Sequence, residues 1–210
     1  MSSKFFMFIL GGFQSAGGWV MWLILAVGFV ILGFMIERIW YLFFKCGMNS
    51  LPFMSQISVC LKAGDFDKAI KMAASTNTPL SKVVRVILQN RGKTSKVVQK
   101  AVDEVFLTEI PRITRNINLL NMLANLATLV GLLGTVYGLL ETFDAIANVP
   151  AAQRAQALAA GIAIAMSATL FGLAVAAPTI LIHGFINKKA EGLLEELDEK
   201  AAKLINIIEE

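Results

Sequence analysis

One histidine and two cysteines are all that 210 residues offer toward the usual metal and nucleophile chemistry. His183 alone cannot form a histidine cluster or a catalytic dyad. Cys46 and Cys60 are too few for a disulfide framework and lack metal-ligand spacing. Charge is scarce as well: 16% of residues are Asp, Glu, Lys or Arg, against roughly 25% in soluble globular chains. No Walker A run, no G-x-S-x-G and no metal-ligand pair occurs, so the chain presents no enzyme site and no call for a cofactor. Apolar sequence fills the space that charge leaves: 56% of the chain, gathered into runs. Such runs imply lipid contact.

Three of them are long enough to matter. Trp19–Ile36 is 18 residues without a charge, with apolar residues resuming at 39–44 beyond Glu37-Arg38. Leu119–Leu140 is an uncharged run of 22 and Ala155–Ile186 one of 32. All approach or exceed the ~20 residues that cross a bilayer core. The first lacks a compact apolar region followed by an A-x-A-like site, so it reads as a retained span and not a cleaved signal. Twelve Lys and Arg lie between Lys45 and Arg115 and four more from Lys188 onward, against Lys4 before the first span and Arg154 between the second and third. The positive-inside rule then orients the chain. It predicts a periplasmic segment 1–18, transmembrane helix 1 at 19–44, a cytoplasmic helical loop at 45–118 and transmembrane helix 2 at 119–143. A periplasmic loop at 144–154, transmembrane helix 3 at 155–186 and a cytoplasmic amphipathic tail at 187–210 complete it. Both thiols fall on the reducing side and are expected free. Topology accounts for the basic loop, so no nucleic-acid partner is expected.

The loop reads as helices. Gly64-Asp65 opens one that ends near Asn77, and Thr78-Pro79 caps another from Leu80 to about Asn90. Thr94 or Ser95 starts a third, expected to run almost continuously to about Ala147 with a kink at Pro111. In the tail, Leu193, Leu194, Leu197, Ala201, Leu204, Ile205 and Ile208 form an apolar stripe on a helix that continues span three. The fold class is therefore an all-α membrane protein of three transmembrane helices, with spans two and three extended into a cytoplasmic helical bundle. Glu37-Arg38 reads as an ion pair at the inner membrane face, its arginine snorkelling to water.

Two stripes of small and hydroxyl residues run the depth of the spans. Thr128, Gly131, Thr135, Gly138 and Thr142 share one face of span two, and Gly161, Ala165, Thr169, Gly172, Ala176, Thr179 and His183 one face of span three. They fit close helix packing, since small residues let membrane helices approach. They equally fit a lining over which hydroxyls relay or coordinate a cation. No acidic or basic side chain lies deep in either span, so any proton-binding carboxylate has to come from a partner, or the ion is held by neutral oxygens. Glu141 and Asp144 mark the outer end of span two. Pro178 is a helix-kink candidate in span three, tolerated where neighbours satisfy the freed carbonyl.

Gly131–Phe143, GLLGTVYGLLETF, resembles the GLxGTVxGxxxxF signature of the MotA/TolQ/ExbB proton-channel family. Gly161–Leu173, GIAIAMSATLFGL, is similar to that family's GIAEALxATxxGL segment, and the matching Ala-Ala-Pro178 follows. Shorter matches lie at Gly64–Ala69, Pro79-Leu80, Glu109–Arg112 and Ile36–Leu42. The resemblance covers roughly residues 19–208. It implies an ExbB/TolQ-like subunit of the bacterial inner membrane, with N-terminus periplasmic and C-terminus cytoplasmic. Five copies would surround a dimer of ExbD/TolR-like single-span partners that supply a transmembrane Asp, and H+ or Na+ movement would drive mechanical work. The family's two pore-lining threonines fall on Thr135 and Thr169, with Thr128, Thr142 and Ser167 as further ion-pathway candidates. Gly131, Gly138, Ala165, Gly172 and Ala176 would receive the partner helix. Two departures leave both ions open: the family's glutamate falls on Ile164, and its proline early in span two falls on Thr128. Glu141 and Ser167 are the candidate substitutes. A passive helical scaffold, with stripes that only pack, is the rival reading.

Overall fold

The computed structural model describes residue 13, residues 18–47 and residues 50–209. The expected periplasmic segment therefore lies, apart from Phe13 and Gly18, outside the described residues. Among the described residues every regular element is helical, and three helices are long and apolar enough to cross a membrane. The chain divides into two units, one of residues 1–36 and 116–184, the other of residues 37–115 and 185–210.

The first unit is built on three apolar helices. Helix α1 covers Gly18–Trp40, α6 covers Ile117–Ala147 and α7 begins at Arg154 after a short 3-10 turn at Ala151–Gln153. Val20, Met21, Ile24 and Ile31 of α1 are buried, while Phe29, Leu129, Leu133, Leu140, Met166 and Leu181 stand exposed. Large apolar side chains turned outward from all three helices need an apolar surrounding, and lipid provides it. Trp19 meets the Tyr137 ring edge-on, centroids 5.8 Å apart.

The second unit holds the short helices. A π-helical turn at Tyr41–Lys45 follows α1, closed by the Cys46 amide donating to the Tyr41 carbonyl at 3.0 Å. Helix α2, Ser50–Lys62, carries Pro52 in its first turn, where a missing amide is tolerated. Helix α3 is Phe66–Ser75, capped by Asp65, whose carboxylate accepts from the Lys68 amide at 3.2 Å. Helix α4 is Pro79–Gln89. Thr78 and Ser81 bond each other's backbone amides there, a reciprocal cap at 3.3 and 3.0 Å. Gly64 and Gly92 both take φ +76°, the left-handed turn each inter-helix corner needs. Helix α2 packs on α3, α3 on α4, and α4 on α5, which covers Ser95–Thr114. The last stretch of α7 closes this core: Ile186, Ala190, Leu197, Ala201, Leu204 and Ile205 are buried. Leu197, Ala201, Leu204 and Ile205 belong to the stripe read from the tail, whose Leu193, Leu194 and Ile208 are half-buried, and α7 runs to Glu209 through Pro178.

Two local expectations are corrected. The helical run from Ser95 does reach Ala147, but its interruption falls at residues 115–116 and not at Pro111. It stops at Thr114 and restarts at Ile117, because Asn116 adopts φ 58°, ψ 0°. Pro111, the expected perturbation, stays inside α5. Asparagine is one of the few side chains that tolerates the left-handed region, and one such residue ends the hydrogen-bond ladder. Arg38 does pair with Glu37 at 2.7 Å, yet it does not snorkel. It is 2% exposed, lies over the Tyr41 ring and donates to the Arg112 carbonyl at 3.2 Å, close to the end of α5. Orphan carbonyls at a helix C-terminus attract a cation, and here that attraction draws the arginine inward.

A seam of glycines and an acidic cleft

The α6–α7 contact is set by residues with almost no side chain. Helix α6 buries Leu120, Ala124, Ala127, Gly131 and Gly134. Opposite, α7 buries Ala165, Ala168, Gly172 and Ala176. A Cβ on Gly172 would stand 2.7 Å from the Ala127 carbonyl oxygen and 3.1 Å from the Gly131 Cα. One on Gly131 would stand 3.1 Å from the Ala168 carbonyl oxygen, and one on Gly138 2.9 Å from the Ala165 Cβ. Backbones this close gain dispersion contacts along the whole seam. Gly134 and Ala168 belong to it, and Val20 of α1 closes on Gly134. Their spacing alone does not single them out.

The seam bears directly on the residues assigned to a partner helix. Gly131, Gly138, Ala165 and Gly172 meet one another within the chain, and Ala176 is 2% exposed. The packing reading of the stripes accounts for the contacts at Gly131, Gly138, Ala165 and Gly172.

The hydroxyls divide differently. Thr169 donates across the seam to the Gly131 carbonyl at 2.9 Å. In the α-helical ladder that carbonyl also accepts the amide of residue 135. One oxygen thus links the two threonines that the sequence singles out. The Thr135 hydroxyl, half-buried, donates to Leu132 O at 2.7 Å. Thr128 bonds Ala124 O at 3.3 Å and Thr142 bonds Gly138 O at 2.6 Å. Ser167 is fully buried, donates to Ile164 O at 2.6 Å and lies 3.9 Å from Met21 Sδ, so it turns to α1 and away from the seam. A hydroxyl whose proton is held by a backbone carbonyl presents only lone pairs to whatever approaches. That is the chemistry of a cation ligand, or of an acceptor for a protonated carboxyl.

Beyond Gly138 the helices enclose a cleft of about 370 Å³ whose lining includes Gly138, Glu141, Thr142, Gly161, Ile164 and Ala165. Glu141 is half-buried here, whereas Asp144 is exposed and takes no part. Ile164, where the resemblance places a glutamate, lines the same cleft from α7. Glu141, a candidate substitute for that acid, thus shares the cleft with Ile164. Pro178 is exposed and lines a separate apolar groove with Phe29, Met35 and Val175. Nε2 of His183 is buried without a hydrogen-bond partner. Among the described residues no group of three His, Cys, Asp or Glu could hold a metal ion.

Helices with long charge-free stretches, joined by a glycine seam and faced with lipid-directed leucines, define a multi-pass membrane protein. The model of the MotA/TolQ/ExbB proton channel family matches residues 75–199, and the chain belongs to that family. A Methanothermobacter thermautotrophicus protein, named as a homologue of the biopolymer transport protein ExbB, is 28% identical over 198 residues, 93% of this chain and 68% of its own. Biopolymer transport protein ExbB of Helicobacter pylori is 34% identical over 102 residues, covering 49% of this chain and 69% of its own.

Proposed function

We propose that this protein is the ion-channel subunit of an ExbB/TolQ-type motor, residing in the bacterial inner membrane with its C-terminus cytoplasmic. It couples proton- or sodium-motive force to mechanical work and catalyses no reaction. The Thr169 hydroxyl bonded to Gly131 O carries the reading, because it joins both family threonines in a helix pair with no Asp, Glu, Lys or Arg at that depth. An ExbD/TolR-like single-span protein then supplies the missing transmembrane Asp. A pentamer of this chain would bring five copies of the Thr135–Thr169 pair to the level of that carboxylate. Glu141 admits the cation at the outer cleft.

Thr135→Val and Thr169→Val, each reconstituted with the partner in vesicles, test this directly. Removing an acceptor oxygen at near-constant volume should abolish ion flux under an imposed H+ or Na+ gradient while assembly survives. Thr169→Val also forfeits one hydrogen bond, about 1 kcal/mol. The glycine seam favours a second reading, a passive scaffold. Under it neither the wild type nor either variant conducts ions, and the substitutions alter only assembly or stability.

A further inference from the structure

A polar pocket of about 390 Å³ in the second unit gathers Arg38, Lys45, Lys82, Arg112 and Arg115 against two carboxylates, Glu37 and Glu109. Five cations against two anions leave an excess of three positive charges. The carboxylates are already engaged. Glu109, 3% exposed, holds Lys82 at 3.0 Å and Arg112 at 2.6 Å, and Glu37 holds Arg38 at 2.7 Å. Arg38 is almost wholly buried, yet its Nε has no hydrogen-bond partner. Clustered like charge around a buried, incompletely bonded guanidinium is costly unless an anion compensates it.

We propose that this pocket binds the phosphate group of an anionic phospholipid. Planar guanidinium groups and mobile ammonium groups together suit a tetrahedral oxyanion. Its place in the chain favours a lipid source over a soluble one. Tyr41, Lys45 and Cys46 directly follow α1, and Arg115 immediately precedes α6, so the pocket is lined where two apolar helices end. Beside it in sequence, Trp40, Phe43 and Phe44 are exposed large apolar side chains, suited to the boundary between headgroups and acyl chains. Basic groups at that boundary recognise anionic headgroups.

The test uses the full-length protein in a neutral detergent, titrated separately with phosphatidylglycerol, phosphatidylcholine and inorganic phosphate, with binding followed by native mass spectrometry and by the unfolding midpoint. Lys45→Gln with Arg115→Gln removes two exposed pocket charges without touching the Glu109 pairs. Lys96→Gln with Lys100→Gln removes two exposed charges elsewhere. Phosphatidylglycerol is expected to bind in preference to phosphatidylcholine. The pocket pair should weaken it roughly twenty-five-fold, at about fivefold per basic side chain, and the control pair should not. Competition by inorganic phosphate at the same affinity would make the site one for free phosphate and overturn the lipid assignment. Equal binding of both lipids, or equal loss in both double variants, would overturn the site itself. Should the pocket pair fail to fold, the wild-type ranking of the three ligands still decides.

Discussion

Gly172→Ala is the most direct challenge to the glycine seam. Its new Cβ would sit 2.7 Å from the Ala127 carbonyl oxygen and 3.1 Å from the Gly131 Cα. Both are backbone atoms, so no side-chain rotation relieves the clash and the helices must separate. Overpacking of this kind costs about 1–3 kcal/mol. Against that, alanine gains up to about 1 kcal/mol of helix propensity over glycine. Gly184→Ala in the same helix isolates the first effect, since nothing lies within 4 Å of its Cβ position and the propensity gain is shared. The difference between the two variants is therefore the overpacking cost. At roughly 2–4 °C per kcal/mol for a chain of this size, Gly172→Ala should melt about 2–12 °C below Gly184→Ala. Thermal unfolding of the purified protein in detergent, followed by tryptophan fluorescence, measures it. Equal midpoints would mean that α6 and α7 do not approach as described, and the seam argument would fail with them.

Glu141→Gln should lower ion flux several-fold in reconstituted vesicles without altering assembly, whereas Asp144→Asn, outside the cleft, should not. Glu109→Gln severs two ion pairs at a buried carboxylate and should cost about 1–3 kcal/mol in unfolding experiments. The exposure of Lys82 and Arg112 keeps that loss well below a fully buried pair's. Burial pushes the Cys46 thiol up, a hydrogen bond with Tyr41 works against it and the nearby Glu109 charge adds to it. A Cys60→Ser protein should therefore alkylate at Cys46 with a pH–rate midpoint above that of a free thiol. Because the folded state holds this proton more tightly, the associated stability is complete below the ordinary thiol value and is lost as pH rises through the folded one.

What the sequence makes legible follows from how local each signal is. Asp65, Thr78 and Pro79 announce helix starts through chemistry completed within four residues, and α3 and α4 begin there. Three-and-four spacing likewise places Ser167 off the seam face, and it turns to Met21. The break at Asn116 is not legible, because Pro111 is the louder signal and an asparagine's left-handed turn leaves no pattern. Helix α2, Ser50–Lys62, also escapes the sequence reading, whose loop helices begin at Gly64-Asp65. Spacing identifies Gly131 and Gly172 as a small surface but cannot say what meets it. Which helix fills that surface is a tertiary fact, as is the meeting of Ile164 and Glu141 in one cleft.

The turn at Arg115-Asn116 has a mechanical consequence. An uninterrupted α-helix resists torsion, because twisting it strains every successive hydrogen bond. Helix α7 keeps one helical run from Arg154 to Glu209, short of a single backbone donor at Pro178, so local twisting within it works against the hydrogen bonds on either side of that residue. Helix α6 has no such continuity with α5, since the backbone torsions of one residue at 116 end the hydrogen-bond ladder. Of the two helices that meet at the seam, one runs on past residue 184 without a turn and the other starts from one.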